Sequence, residues 1–161
     1  MKKMFFLISF LFLLLFTYSF KPALFDLFKL DNLIFSNEEY YIYCLNICND
    51  LTNCEIINNG NGYIIKTDIN NAKLVKSKVS NILGESVRFK STINKANDII
   101  DFYNLKIIKE EKIEDILCIY GYCENNDFNN SILIDNNNIN LQVAFSNGYM
   151  TIGTPIILGD Y

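Results

Sequence analysis

Apolar and polar positions change their spacing several times along this chain. Met4 to Phe20 is an almost unbroken apolar run, interrupted only by Ser9, Thr17 and Ser19, and preceded by Lys2 and Lys3. A positive start followed by such a run predicts a secretory signal or a single N-terminal anchor. As a helix it would reach about 25 Å at 1.5 Å per residue, slightly short of a full hydrocarbon core. Thr17 and Ser19 offer a weak cleavage site. The two lysines put the N-terminus inside and the remainder outside whether or not cleavage occurs. Residues 1–22 are therefore assigned to a signal peptide or membrane anchor, and 23–161 to one domain. Phe20 to Phe35 mixes Leu and Phe with Lys21, Asp26, Lys29 and Asp31. It reads as a first helix covering the core, with a juxtamembrane amphipathic helix as the alternative.

Ser36-Asn37-Glu38-Glu39 has the form of a capping box, with Phe35 and Tyr40 at the staple positions. It predicts a helix to about Leu51, with Tyr41, Cys44, Leu45, Cys48 and Leu51 on its buried stripe. Cys54 to Ile57 and Tyr63 to Thr67 read as a hairpin across Asn58-Asn59-Gly60-Asn61-Gly62. A helix follows from about Asn70 to Leu83, with Ala72, Val75, Val79 and Ile82 on one face and Gly84 at its C-terminal cap. Ser86 to Ile93 reads as a strand. Asn94 caps a short helix carrying Ile99, Ile100 and Tyr103. Leu105 to Lys109 and Ile116 to Tyr122 are further strands.

Three strand-like runs close the chain: Ser131 to Ile134, Ile139 to Phe145 and Tyr149 to Ile157. They are joined by turns at Asn136 to Asn138 and at Asn147-Gly148. A two-residue turn at Asn147-Gly148 pairs Ser146 with Tyr149, and this fixes the register. Val143 then faces Ile152, Phe145 faces Met150, and all four point to the core. Gln142, Ala144, Thr151 and Gly153 point the other way. With Tyr149 they form the candidate interaction face, polar and small enough for a partner to approach closely. Pro155 lacks a ladder donor and belongs at an edge or where pairing ends. The fold class expected is α+β, a curved antiparallel sheet with helices on one face and a C-terminal β-meander.

Composition narrows the chemistry. The chain has no histidine, which removes the usual neutral-pH base and any Ser-His-Asp or Cys-His centre. The net charge is −4, and loss of Lys2 and Lys3 with a leader cleaved after Ser19 takes it to about −6. Arg88 is the sole arginine. Nucleic-acid binding needs clustered cations to neutralise phosphates, so no nucleic-acid partner is expected. Heavy use of asparagine, isoleucine, lysine and phenylalanine fits an AT-rich genome. The asparagines fall where turns and caps need them. No phosphate-binding glycine loop occurs. Asn129-Asn130-Ser131 fits a glycosylation sequon, which matters only in a eukaryotic secretory pathway.

Five cysteines are the chemically suggestive set: Cys44, Cys48, Cys54, Cys118 and Cys123. As structural residues they act as small hydrophobes, with room for a disulfide. As a redox pair, Cys118 and Cys123 are five residues apart, an odd step that sends them to opposite faces of a regular strand unless a bulge near Gly121 intervenes. As zinc ligands, Cys44, Cys48, Cys118 and Cys123 have tolerable spacing, but two of them lie on a predicted buried stripe. The structural reading is expected, with no cofactor and no metal. Glu110, Glu111, Glu114 and Asp115 read as a solvated turn rather than a carboxylate pair.

A family resemblance adds to this. Ile139-Asn140-Leu141-Gln142-Val143-Ala144-Phe145, Thr151-Ile152-Gly153-Thr154-Pro155-Ile156-Ile157 and the terminal Asp160-Tyr161 resemble the closing signature of the YwmB-like family. Gly84 to Ile93 and Leu117-Cys118-Ile119-Tyr120-Gly121-Tyr122 are similar to earlier blocks of that family. The likeness covers Gly84 to Tyr161; over Asn37 to Leu83 it rests on the order of elements. It implies a secreted or membrane-tethered protein of Gram-positive bacteria and a fold likened to the TATA-box-binding protein. It brings no established activity, and fold likeness does not bring DNA binding with it. The expectation is a non-catalytic binding module outside the membrane, meeting an envelope protein or cell-wall component. A thiol-dependent redox or metal-binding protein is the alternative.

Overall fold

The structure is a computed structural model that describes residues 39–47, 50–124 and 130–159. The leader, the Phe20 to Phe35 stretch, Ser36 to Glu38, Cys48, Asn129 and the terminal Asp160-Tyr161 lie outside the described residues.

The fold is α+β. The strands among the described residues are β1 (Glu39–Ile47), β2 (Glu55–Asn58), β3 (Tyr63–Thr67), β4 (Val79–Lys90), β5 (Lys106–Ile113), β6 (Ile116–Tyr122), β7 (Ile132–Ile134), β8 (Asn137–Ile139), β9 (Leu141–Ser146) and β10 (Tyr149–Thr154). The helices among the described residues are α1 (Ile69–Ser77) and α2 (Asn94–Tyr103). Eight strands form one open antiparallel sheet in the order β2-β3-β1-β4-β10-β9-β6-β5, and β7 and β8 form a separate ribbon. Ala72 and Val75 of α1 and Ala96, Ile99 and Tyr103 of α2 join one core with Ile42, Val87, Ile152, Val143 and Ile119 of the sheet. Both helices therefore cover the same face.

The capping-box helix is corrected: β1 is a strand. Glu-Tyr-Tyr-Ile-Tyr-Cys is dense in aromatic and β-branched side chains, which suit a pleated surface. Tyr40, Ile42 and Cys44, two residues apart, are each fully buried. The central position of β1 between β3 and β4 prevails over a local capping signal.

The second predicted helix is shortened for the same reason. Asp68 caps α1, its carboxylate accepting from the Asn71 N–H at 3.0 Å, and the helix stops at Ser77. Val79 and Ile82 belong to β4, where Val79 pairs with Ile47 and Ile82 with Cys44. Gly84 is a strand residue opposite Tyr43, not a helix cap. Asn94 opens α2 without capping it; the cap is Ile93, with no side-chain bond. The helix ends at Asn104 in the left-handed conformation.

The hairpin of β2 and β3 forms as expected, with Asn58 opposite Tyr63. Glu110 and Glu111 lie in β5 rather than in a turn; only Glu114 and Asp115 are in the connection to β6. The closing meander holds to its register: Ser146 pairs with Tyr149, Phe145 with Met150 and Val143 with Ile152. The long final strand does not, because pairing ends at Thr154, one residue before Pro155.

Candidate functional site

The face of the sheet away from the helices carries the candidate interaction residues. Strand register lays them in two rows. One crosses Lys66, Tyr41, Ser86, Gly153, Gln142 and Tyr120; the other crosses Glu39, Arg88, Thr151, Ala144, Cys118 and Glu111. The expectation that this face is open is corrected. Gln142, Ala144 and Thr151 are each 2% exposed, and Gly153 is buried too. The cover is residues 155–159 of the same chain. After Thr154 it turns back and crosses the strands along the first row.

This crossing segment, residues 155–159, is a strap held by side chains instead of a ladder. Gln142 Oε1 accepts from the Ile157 N–H at 3.0 Å. Ser86 Oγ donates to the Leu158 carbonyl at 2.8 Å and accepts from its N–H at 3.1 Å. Ile157 fills a small cluster with Cys118 and Ala144, flanked by Ile116 and Tyr120. A Cβ on Gly153 would sit 2.4 Å from the Ile156 carbonyl oxygen, so only glycine admits the strap there. Gly159 reaches the Tyr41 ring, where a Cβ would lie 2.8 Å from it. Small residues were read in the sequence as room for a partner; the close approach they permit is intramolecular.

The strap is held modestly. Burying one isoleucine contributes about 1.5–3 kcal/mol. Three hydrogen bonds add roughly 0.5–1.5 kcal/mol each. Ordering five residues costs about 1–2 kcal/mol apiece. The opposing quantities are of the same size.

Beyond the strap the same face is half-buried and charged. Lys66 meets Glu39 at 2.7 Å, the Tyr41 hydroxyl donates to Glu39 at 3.0 Å, and the Arg88 guanidinium lies 3.7 Å from Glu39. Arg88 also stacks 4.0 Å over the Tyr149 ring, and its Nε is buried without a partner. The Lys66 ammonium holds the Glu39 carboxyl below its usual range against the opposing effect of burial, and Glu39 in turn raises Lys66. Glu39 and Lys66 also line a shallow depression of about 450 Å³ with Asn53, Cys54, Glu55, Thr67 and Asp68.

The described thiols are dispersed. Cys44 and Cys123 lie in the helix-side core, and Cys118 lies under the strap on the opposite face. The odd step from Cys118 to Cys123 separates them as the sequence indicated. Cys123 Sγ donates to the Tyr103 carbonyl at 2.9 Å. Cys54 is half-buried at the depression. Burial pushes the thiols of Cys44, Cys54 and Cys118 up, which suppresses the thiolate needed for exchange or metal binding. Among the described residues no disulfide forms and no group of metal-ligating side chains converges.

One ionic cluster went unread in the sequence. On the helix side Lys76 Nζ contacts both oxygens of Glu85 at 2.8 Å, and the Tyr40 hydroxyl donates to Glu85 Oε2 at 2.6 Å. Glu85 shares its face with Val87 and Phe89, and a carboxylate two residues before an apolar alternation was the available signal. The cluster ties α1 to β1 and β4, and it is closed to solvent at Tyr40.

No helix among the described residues is long and apolar enough to cross a membrane. Compared with family models, with curated proteins and with solved structures, the chain gives no match in any of the three.

Proposed function

We propose that this chain is a non-catalytic binding module of the YwmB-like kind, carried to the outer side of the membrane by its N-terminal segment. The observation that supports this most is the outer sheet face. Its side chains grip a crossing backbone segment and, next to it, leave Tyr149, Arg88 and Lys66 partly exposed around Glu39. Tyrosine and arginine are the side chains that dominate protein recognition surfaces. The described thiols, by contrast, lie apart from one another, and those of Cys44, Cys54 and Cys118 are disfavoured as thiolates. The partner is an envelope protein or a cell-wall component, not nucleic acid.

The test is a full-length chain with all five cysteines replaced by alanine or serine, expressed in cells lacking the native copy. A folded variant that restores the wild-type envelope phenotype is the expected result. A folded variant that fails would overturn the reading in favour of thiol chemistry. Labelling of the exposed Lys90 in intact cells by a membrane-impermeant amine reagent checks the location; protection until lysis would refute an outer position.

A further inference from the structure

We infer that the groove beneath residues 155–159 is a receptor for a short peptide segment of a partner protein, and that the strap is its internal stand-in. This rests on the binding-module reading and supplies its ligand class.

Three observations carry it. First, the groove recognises backbone. Gln142 and Ser86 bond the main chain at 157 and 158 through their side chains, so these contacts do not depend on which chain supplies the segment. Second, the face has the composition of a solvated sheet surface. Ser86, Gln142 and Thr151 are all nearly inaccessible, although a permanently covered face is ordinarily apolar. Third, the strap's apolar contact is a satellite. Ile157 packs with Cys118 and Ala144 in a cluster separate from the main core, so lifting it leaves the helix-side packing intact.

The geometry also states what the groove accepts. The residue at the 157 position is aliphatic, to fill the space over Cys118 and Ala144. Two positions later the segment has glycine, because φ is +91° there and the Tyr41 ring stands 2.8 Å from any Cβ. The ligand is thus a segment with an aliphatic residue two positions before a glycine, delivered beside the half-buried Tyr149 and Arg88.

Cys118 reports on the strap. In the full-length native chain, site-resolved alkylation should modify Cys118 at least about tenfold faster than Cys44 and Cys123, because local opening is easier than global unfolding. Equal rates for the three would overturn the proposal, since the strap would then leave only on unfolding. The second arm uses full-length Ile157→Asp, which frees the groove without altering it. The probe is the amidated peptide Thr-Pro-Ile-Ile-Leu-Gly. It should slow Cys118 alkylation of this variant several-fold, and the same peptide ending in alanine should not. A peptide without effect on a folded variant sinks the receptor assignment. A one-to-one dimer of wild type with Ile157→Asp would also overturn it, since the groove would then exchange straps between copies. The binding-module reading fails separately, on the cysteine-free chain.

Discussion

Replacing Lys76 by methionine tests how the inner ionic cluster holds α1 to the sheet. Lys76 and Glu85 side chains are 9% and 5% exposed, and their closest approach is 2.8 Å. At that distance and an effective dielectric of about 20 the attraction is about 6 kcal/mol. Withdrawing the two charges from water costs several kcal/mol each, so the intact pair contributes little net stability. Removing one partner is different, because it leaves the other charge buried. Lys76→Met leaves the Glu85 carboxylate with only the Tyr40 hydroxyl at 2.6 Å. The expected loss is about 3–5 kcal/mol. Glu85→Gln should cost less, about 1–3 kcal/mol, because the lysine stem can carry its ammonium outward to water.

The double variant, Lys76→Met with Glu85→Gln, should be less damaged than the sum of the singles, with a coupling of at least about 2 kcal/mol. Urea unfolding of the full-length chain, followed by tyrosine fluorescence, measures all four corners of the cycle; the chain has ten tyrosines and no tryptophan. Additive losses would show that Lys76 and Glu85 do not interact in solution. A Lys76→Met loss within about 0.5 kcal/mol, the range of ordinary surface changes, would show that the carboxylate reaches water.

Three further outcomes follow from the same geometry. Burial, then the Glu85 charge, pushes the Tyr40 phenol well above its ordinary 10.0. The folded chain therefore keeps a proton that the unfolded chain releases above pH 10, so this stability is whole below pH 10 and falls by about 1.4 kcal/mol per pH unit until Tyr40 itself ionises. Tyr40→Phe should flatten the loss of urea midpoint between pH 9 and pH 11, leaving a residual slope from Tyr41, which burial and Glu39 also raise; an unchanged slope refutes the assignment. Asn140 bridges the Cys123 N–H and carbonyl at 2.7 Å each, so Asn140→Ala should cost about 2–4 kcal/mol in urea unfolding by leaving buried backbone groups unpaired. Gly153→Ala should drive the strap off its seat, costing about 1–3 kcal/mol and speeding Cys118 alkylation while Cys44 stays protected; a crystal structure with the strap unmoved would refute the steric argument.

Elements whose pairing is set by a tight turn were legible in the sequence, and those set by distant pairing were not. Asn147-Gly148 dictates that Ser146 meets Tyr149, and every pair down that hairpin follows from period two. β1 has no such turn. It pairs with β3 and β4, which lie beyond intervening loops and α1, so its alternation of Tyr40, Ile42 and Cys44 competed with a capping signal that was local and visible. Val79 and Ile82 show the same competition. They continue a helical stripe from Ala72 and Val75, yet β1 claims them through Ile47 and Cys44. The ionic cluster was hidden for a related reason, since Tyr40, Lys76 and Glu85 come from three elements.

The strap explains why the outer face was read correctly in direction but wrongly in exposure. Alternation along β9 and β10 places Gln142, Ala144, Thr151 and Gly153 opposite the core, and they are there. Alternation says nothing about a segment that crosses strands at an angle, because such a segment takes part in no ladder. Its traces in the sequence are indirect: Pro155 ending the pairing, Gly153 and Gly159 too small to obstruct, and Gln142 and Ser86 polar in reach of a backbone. Each alone suits a solvated sheet. Together, with Ser86, Gly153 and Gln142 on one row across three strands, they describe a groove that binds main chain. The same features that concealed the strap thus make the face fit for another chain's segment.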